Sequence, residues 1–434
     1  TVRAAVGVVA VLAAGQISSR VAAAAAAPAA VGPVSAVAAS WTPSVTGTSS
    51  KVRQLVPCGG MMYAVGNFPG VKSAGGTTYS RPNAFSFRAS SPGDVSAWNP
   101  MTNGVVNSVA LSADCSTAYL GGAFTSVHGT AAKNIAKVSV ATGAVDQAFA
   151  RSASGQVATL YLYGSHLLTG GYFTSINGSS RRYFASLNAA TGRDDGYLNL
   201  NISGNYQFPG VKPNPSRVWN TEVSHGGSQL LVMGDFTSVG GKHREQIFML
   251  DLASATVTDW TSNEFYQPCA TVEPFYLQAA SWSPDDSKVY VATTGYKPYN
   301  LPKTAPRSGL CDAAAAFPAT RATVSRLWIN YTGCDSLFST TADASTVYIG
   351  GHERWANNPH GCDNPGPGAL ARPGVGGLSP VTGAATNWNP TRSRGQGADD
   401  LVITAAGLWV ASDTFFGSTF CANRYHAGIC LLPY

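Results

Sequence analysis

His352, Glu353, Arg354 and Trp355 follow one another directly, and His360, Asp363, Arg392, Arg394, Asp399, Asp400, Asp413, Arg424 and His426 come after them. Trp355 aside, they form a group of ionisable side chains in the late part of a charge-poor chain. Its 434 residues include 28 Lys and Arg and 22 Asp and Glu, or 12% charged against the ~25% usual for soluble domains. A carboxyl and an imidazole on facing loops could act as general acid and base, which makes His352, Glu353 and Asp400 the catalytic candidates. Two carboxylates about 5 to 10 Å apart would suit glycoside hydrolysis. A His or Tyr beside Arg would suit a lyase, the cation steadying the charge left when a uronate proton is removed. The same face could bind without reacting. Arg354, Trp355, His360, Arg392, Arg394, Asp399, Asp413, Arg424 and His426 then supply bidentate, hydrogen-bonding and stacking contacts to a sugar, peptide or protein partner. Against each residue taken singly stands a plainer role, tying strand ends together or facing solvent.

Metal chemistry has little support. His352, His360 and His426 lack HxH or HExxH spacing, so no metal centre is expected. Asp399, Asp400 and Asp413 are the one set that could hold calcium, with strand-end hydrogen bonding as the alternative. No phosphate-binding Gly loop and no haem or copper pattern occurs, so no cofactor is expected.

Such residues need a scaffold, and a repeat supplies one. A similar unit returns about every 50 to 60 residues. It consists of an apolar run, a polar turn, a second run ending in small residues and an aromatic, a third run, and a Thr-Gly type turn. The second runs end at Val65-Gly66-Asn67-Phe68, Gly121 to Phe124, Gly170 to Phe173, Met233 to Phe236, Thr294-Gly295-Tyr296, Ile349 to His352 and Ala411 to Phe415, giving seven copies. Short alternating or β-branched segments between turn residues are the pattern of antiparallel strands. The expected fold is therefore all-β, a seven-bladed β-propeller of four-stranded antiparallel blades. Trp98, Trp260, Trp328 and Trp388 recur at unit ends and are expected in the core between blades. With 47 Gly and 25 Pro, long helices, coiled coils and helical bundles are excluded.

The two ends of the chain complement each other. Trp41-Thr42-Pro43 repeats the unit ending of Trp98-Asn99-Pro100 and Trp388-Asn389-Pro390, yet no unit precedes it. The last unit stops after its third run, at Gly428 to Leu432. The segment from Ala38 to Pro43 is thus expected to complete the seventh blade and close the ring, removing exposed strand edges.

The motifs Gly-Gly-Ala-Phe-Thr-Ser-Val at 121–127 and Gly-Gly-Tyr-Phe-Thr-Ser-Ile-Asn-Gly at 170–178, with Met233 to Gly241, resemble the delta-60 repeat of secreted bacterial β-propellers. The resemblance spans roughly residues 41 to 260 and fades beyond. It implies a propeller and an extracellular setting; that family carries no single activity or catalytic residue to transfer.

Late units depart from it through insertions at Lys297 to Thr320, His352 to Pro373 and Phe416 to His426, with long junctions at Asn201 to Ser216 and Asn389 to Asp400. Loops on a rigid scaffold carry function disproportionately, so this loop-rich face of blades five to seven is the expected site.

Arg3, the apolar run Ala4 to Ala14 and an Ala-rich stretch reaching Ser40 have the order of a secretory leader, assigned to residues 1–39, with one domain over 40–434. Eight cysteines, none in a CxxC pair, fit an oxidising compartment and four disulfides. Cys58 and Cys115 occupy the same place in successive units and are expected to pair. Cys421 and Cys430 would close the last insertion, while Cys269, Cys311, Cys334 and Cys362 leave three pairings open. A net charge of +6 without a basic run argues against nucleic acid. The expected protein is a secreted or cell-surface monomer that binds a glycan, peptide or partner protein and has no membrane span in its mature chain. The alternative is an extracellular carbohydrate-active enzyme, a polysaccharide lyase or glycoside hydrolase, using the same face.

Overall fold

A computed structural model describes residues 32–205, 215–267, 275–295 and 308–434. Most of the leader assigned to 1–39 lies outside these residues, as do Cys269, residues 297–307 of the 297–320 insertion and most of the 201–216 junction. Among the described residues there is no α-helix. Seven antiparallel sheets follow one another along the chain. The first consists of Lys51–Cys58, Met61–Asn67 and Ala84–Arg88, and the second of Val105–Leu111, Thr117–Ala123 and Ile135–Ser139. Val157–Tyr163, His166–Gly171 and Phe184–Asn188 make the third. Arg217–Val223, Gln229–Asp235, Ile247–Asp251 and Thr256–Val257 make the fourth. The fifth contains Phe275–Trp282, Lys288–Gly295, Ala313–Pro318 and Trp328–Tyr331, so a third strand lies inside the stretch read from sequence as insertion. The sixth has Leu337–Ala342, Val347–Gly351 and Val375–Leu378, and the seventh Ala398–Thr404, Gly407–Ser412 and Ile429–Pro433. In sheets one, two, three and six the fourth strand shrinks to a single bridge, as between Phe87 and Val95 or Val138 and Val145.

Second strands are apolar on both faces because each is covered on both sides. Seven apolar clusters lie between neighbouring sheets, and one joins Trp409, Ala411 and Ile429 of the last sheet to Val52, Leu55, Phe85 and Phe87 of the first. The small residues ending the second strands permit the close approach this needs. A Cβ on Gly121 would stand 2.5 Å from Val157 Cγ1 of the next sheet, and one on Gly170 2.6 Å from Val218 Cγ1. Trp98, Trp260, Trp328 and Trp388 are all buried in these clusters or beside them.

Every first strand carries a β-bulge at the same place, inserting Arg53, Asn107, Ala158, Trp219, Gln278, Phe338 and Asp399 in turn. A bulge leaves one residue unpaired and re-aims its side chain. Just after it, a recurring hydrogen bond ties neighbouring first strands at three junctions: first to second, second to third, and seventh to first. Val109 N–H donates to Gln54 Oε1 at 2.8 Å, Leu160 N–H to Ser108 Oγ at 3.0 Å, and Leu55 N–H to Asp400 Oδ2 at 2.8 Å.

The start of the described chain lies along the last strand. Ser35 and Ala39 N–H donate to the carbonyls of Pro433 and Leu431, and Val45 N–H to that of Ala427. Val34 and Ala38 are buried in the core of the last two sheets, so residues inside the 1–39 leader assignment belong to the packed fold. Disulfides join Cys58 to Cys115, Cys334 to Cys362 and Cys421 to Cys430. Cys311 is also disulfide-bonded. No helix among the described residues is long and apolar enough to cross a membrane.

Candidate functional site

All seven first strands face one cavity of about 450 Å³. Every charged residue these strands contain lines it: Lys51 and Arg53 from the first sheet, Arg217 and Glu222 from the fourth, Asp399 and Asp400 from the seventh. Burial pushes the Asp399 carboxyl up, and Lys51 Nζ, paired with it at 2.9 Å, offsets only part of this. Burial pushes Asp400 up to about 6, against the Leu55 N–H that holds one of its oxygens. Glu222 opens to water in the cavity yet is ringed by protein. That enclosure, with the Asp400 charge, pushes its carboxyl up to about 8.

The cations behave differently from one another. Arg217 lies between two aromatic faces, its guanidinium carbon 5.2 Å from the Tyr172 ring centre and 5.3 Å from that of Trp219. Its side chain makes no hydrogen bond or ion pair among the described residues, and neither does that of the exposed Arg53. Trp219 is fixed by its Nε1–H bond to the Leu277 carbonyl at 2.9 Å. The cavity wall thus presents two unpaired guanidinia, aromatic rings and amide or hydroxyl side chains.

Most of the residues read from sequence lie in a knot beside this cavity, centred on Asp335. Arg354 Nε and an Nη each donate to the Asp335 carboxylate at 2.8 Å, and an Nη of Arg394 does so at 3.2 Å. Arg354 also reaches the Asp363 carbonyl at 3.2 Å and carboxylate at 3.3 Å, and its guanidinium covers the Trp355 ring at 4.6 Å. The Cys334–Cys362 disulfide sits next to Asp335 and Asp363. Arg394 Nε donates to the His352 carbonyl at 2.5 Å, and the His352 ring packs edge-on to Phe338, a bulge residue of the cavity. Burial holds His352 below the usual histidine range.

Other candidates are spread apart. Glu353 is fully buried with neither carboxylate oxygen hydrogen-bonded, and burial pushes it up to about 8 despite the charge of nearby Arg392. Arg392 donates to the carbonyls of Ser393 and Arg394. Asp413, also buried, accepts from Gly397 N–H and Phe415 N–H, each at 2.7 Å. His426 Nδ1 pairs with the Thr42 hydroxyl at 2.8 Å, and burial pushes the ring down to about 4. His360 and Arg424 are exposed on the loops. Of the catalytic candidates, Asp400 faces the cavity, His352 sits at its edge and Glu353 is sealed from it. Among the described residues no group of His, Cys, Asp and Glu is arranged to hold a metal ion.

Sequence reasoning missed Lys51, Arg53, Asn107, Arg217, Trp219, Glu222 and Asp335. A signal was present for all but Asn107 and Asp335: in a chain with so few charges, Lys-Val-Arg and Arg-Val-Trp-Asn-Thr-Glu put charges into first strands that, apart from Asp399-Asp400 in the last, carry none elsewhere.

No family model matches the chain, and no curated relative does. Among solved structures it is similar to the WD40 β-propeller domain of Doa1, at 12% identity over 86% of this chain and 93% of that one, with a TM-score of 0.43. It is also similar to the computationally designed Ika8 protein, at 10% identity over 92% of this chain and all of that one, with a TM-score of 0.46.

Proposed function

We propose that the chain is an exported, ring-closed seven-bladed β-propeller of the delta-60 type that binds a glycan at the mouth of its central cavity. The reading of a closed ring is supported by the recurrence, between last and first sheets, of the bond that joins other neighbouring pairs. Export is supported by the three disulfides, which persist in oxidising compartments. Cleavage of a leader would fall upstream of the buried Val34.

One observation carries the binding reading. The cavity holds open aromatic, amide and guanidinium groups, whereas the loop knot beside it is satisfied internally. Trp355, the stacking candidate read from sequence, is covered by Arg354, while Gln156 and Gln278 side chains in the cavity make no hydrogen bond among the described residues. Concave sites that combine aromatic surface with a few convergent polar groups are where small ligands bind. The loops of blades five to seven then form the rim of the site, through His352 against Phe338.

A second reading, a glycoside hydrolase or lyase, is favoured by Glu222 and Asp400, two carboxyls in one cavity with pKa values displaced towards neutrality. A polysaccharide array scored for both retention and product release separates the two. Retention abolished by Trp219→Ala, with no reducing or unsaturated product, is the expected result. Product formation lost in Glu222→Gln would establish the enzyme, and retention unaffected by Trp219→Ala would remove the cavity from either reading.

A further inference from the structure

Resting on the glycan reading above, the geometry points to the charge of the ligand: we propose that the cavity is a uronate site, with the sugar carboxylate held by Arg217 and the further positive charge of Arg53 lining the same cavity. Arg217 is the first residue of its strand and Arg53 the bulge residue of another, so both stand towards the end where the first strands begin. Glu222 lies near the far end of the Arg217 strand. Lys51 is matched by Asp399, but the two guanidinia have no acceptor among the described residues. Arg53 is exposed to water, but Arg217 has its Nε buried without a partner and is left for a ligand to satisfy, and a planar guanidinium matches a carboxylate through two parallel hydrogen bonds. The Tyr172 and Trp219 rings hold Arg217 by its faces. Its Nε–H is buried without an acceptor, and contact with the two rings reduces the ordering cost of binding in advance. Amide side chains of Gln156 and Gln278 complete a surface suited to ring hydroxyls more than to a peptide.

The test is an array of galacturonate, glucuronate and mannuronate oligosaccharides beside the same chains with their carboxyls reduced to alcohols. Affinities are measured for the full chain, Arg217→Gln, Arg217→Lys, Arg53→Gln and, as a control, Arg88→Gln on the outer edge of the first sheet. The expected result is that at least one uronate chain binds and its reduced form binds tenfold or more weakly. Arg217→Gln should lose binding to a similar degree, Arg217→Lys should recover part of it, and Arg88→Gln should match the wild type. Circular dichroism checks that each variant folds. Equal affinity for acidic and reduced chains would overturn the carboxylate subsite and leave the glycan reading standing. Binding of an acidic peptide but of no oligosaccharide would overturn both.

Discussion

The carboxylate of Asp400 accepts a hydrogen bond from the backbone N–H of Leu55 at 2.8 Å, across 345 residues of sequence. Gln54 and Ser108 occupy the matching place in the first two sheets and make the matching bond to the next strand along. The bond is therefore a repeating part of the scaffold that happens to use a charged residue at the last junction. Asp400→Ala would leave the largely buried Leu55 N–H without an acceptor and cost about 1–3 kcal/mol, whereas Asp400→Asn keeps an acceptor and should cost less. Urea denaturation checks this. If the alanine and asparagine variants unfold at the same midpoint, the bond does not hold the two ends of the chain together.

The repeat was legible because close packing left its mark in residue type. Gly121 and Gly170 sit where any Cβ would strike the neighbouring sheet, and Gly350 stands in the same relation to Ala398 of the last sheet. The pairing of the two chain ends was legible for a related reason: Trp41-Thr42-Pro43 is a unit ending with no unit before it. The site was harder to see. Arg217 and Trp219 lie on an inner strand of ordinary alternating pattern, and their sharing of one cavity with Arg53 depends on which strands surround it. Asp335 hid better still, a single acid beside Cys334, while the dense group around His352 drew notice for its composition. Density of charge in sequence marked the residues that satisfy one another, and the unsatisfied cations were scattered.

The knot around Asp335 should be structural. Asp335→Ala removes the acceptor of the Arg354 guanidinium and main-chain N–H and of Arg394 together. Because water reaches both guanidinia, the cost should be about 1–3 kcal/mol, below that of a fully buried pair. Loosening the 352–373 loop should also open it to trypsin at Arg354. A limited digest that yields the same fragments at the same rate as wild type would contradict this role.

Glu353 makes the fold sensitive to alkaline pH. Its carboxyl, ordinarily near 4.5, is pushed up to about 8 in the folded chain, so the folded state binds the proton more tightly than the unfolded one. The stability this confers is complete below about 4.5 and lost as pH rises through 8. Between pH 6.5 and 8 the loss should reach about 2 kcal/mol. Glu222 acts in the same direction, more weakly because it is in contact with water. His426, pushed down to about 4, acts oppositely but only below the ordinary histidine range, so it does not obscure this window. Thermal unfolding of Glu353→Gln should fall less from pH 6.5 to 8 than that of the wild type, the residual slope coming from Glu222. Parallel curves for the two proteins would show that the buried carboxyl does not titrate there.

Cys58 and Cys115 join the first two sheets through a bond that closes 57 residues. By loop entropy in the unfolded chain, such a crosslink contributes about 4 kcal/mol, with engineered and native bridges commonly giving 2–4. The double variant Cys58→Ser, Cys115→Ser removes the crosslink without leaving a thiol to mispair. It should lower the denaturation midpoint accordingly and leave oligosaccharide affinity unchanged, because both residues lie at the turns before the second strands and neither lines the cavity. A matching loss of affinity in folded protein would mean that the first two sheets move relative to each other without the bridge, carrying Arg53 out of place.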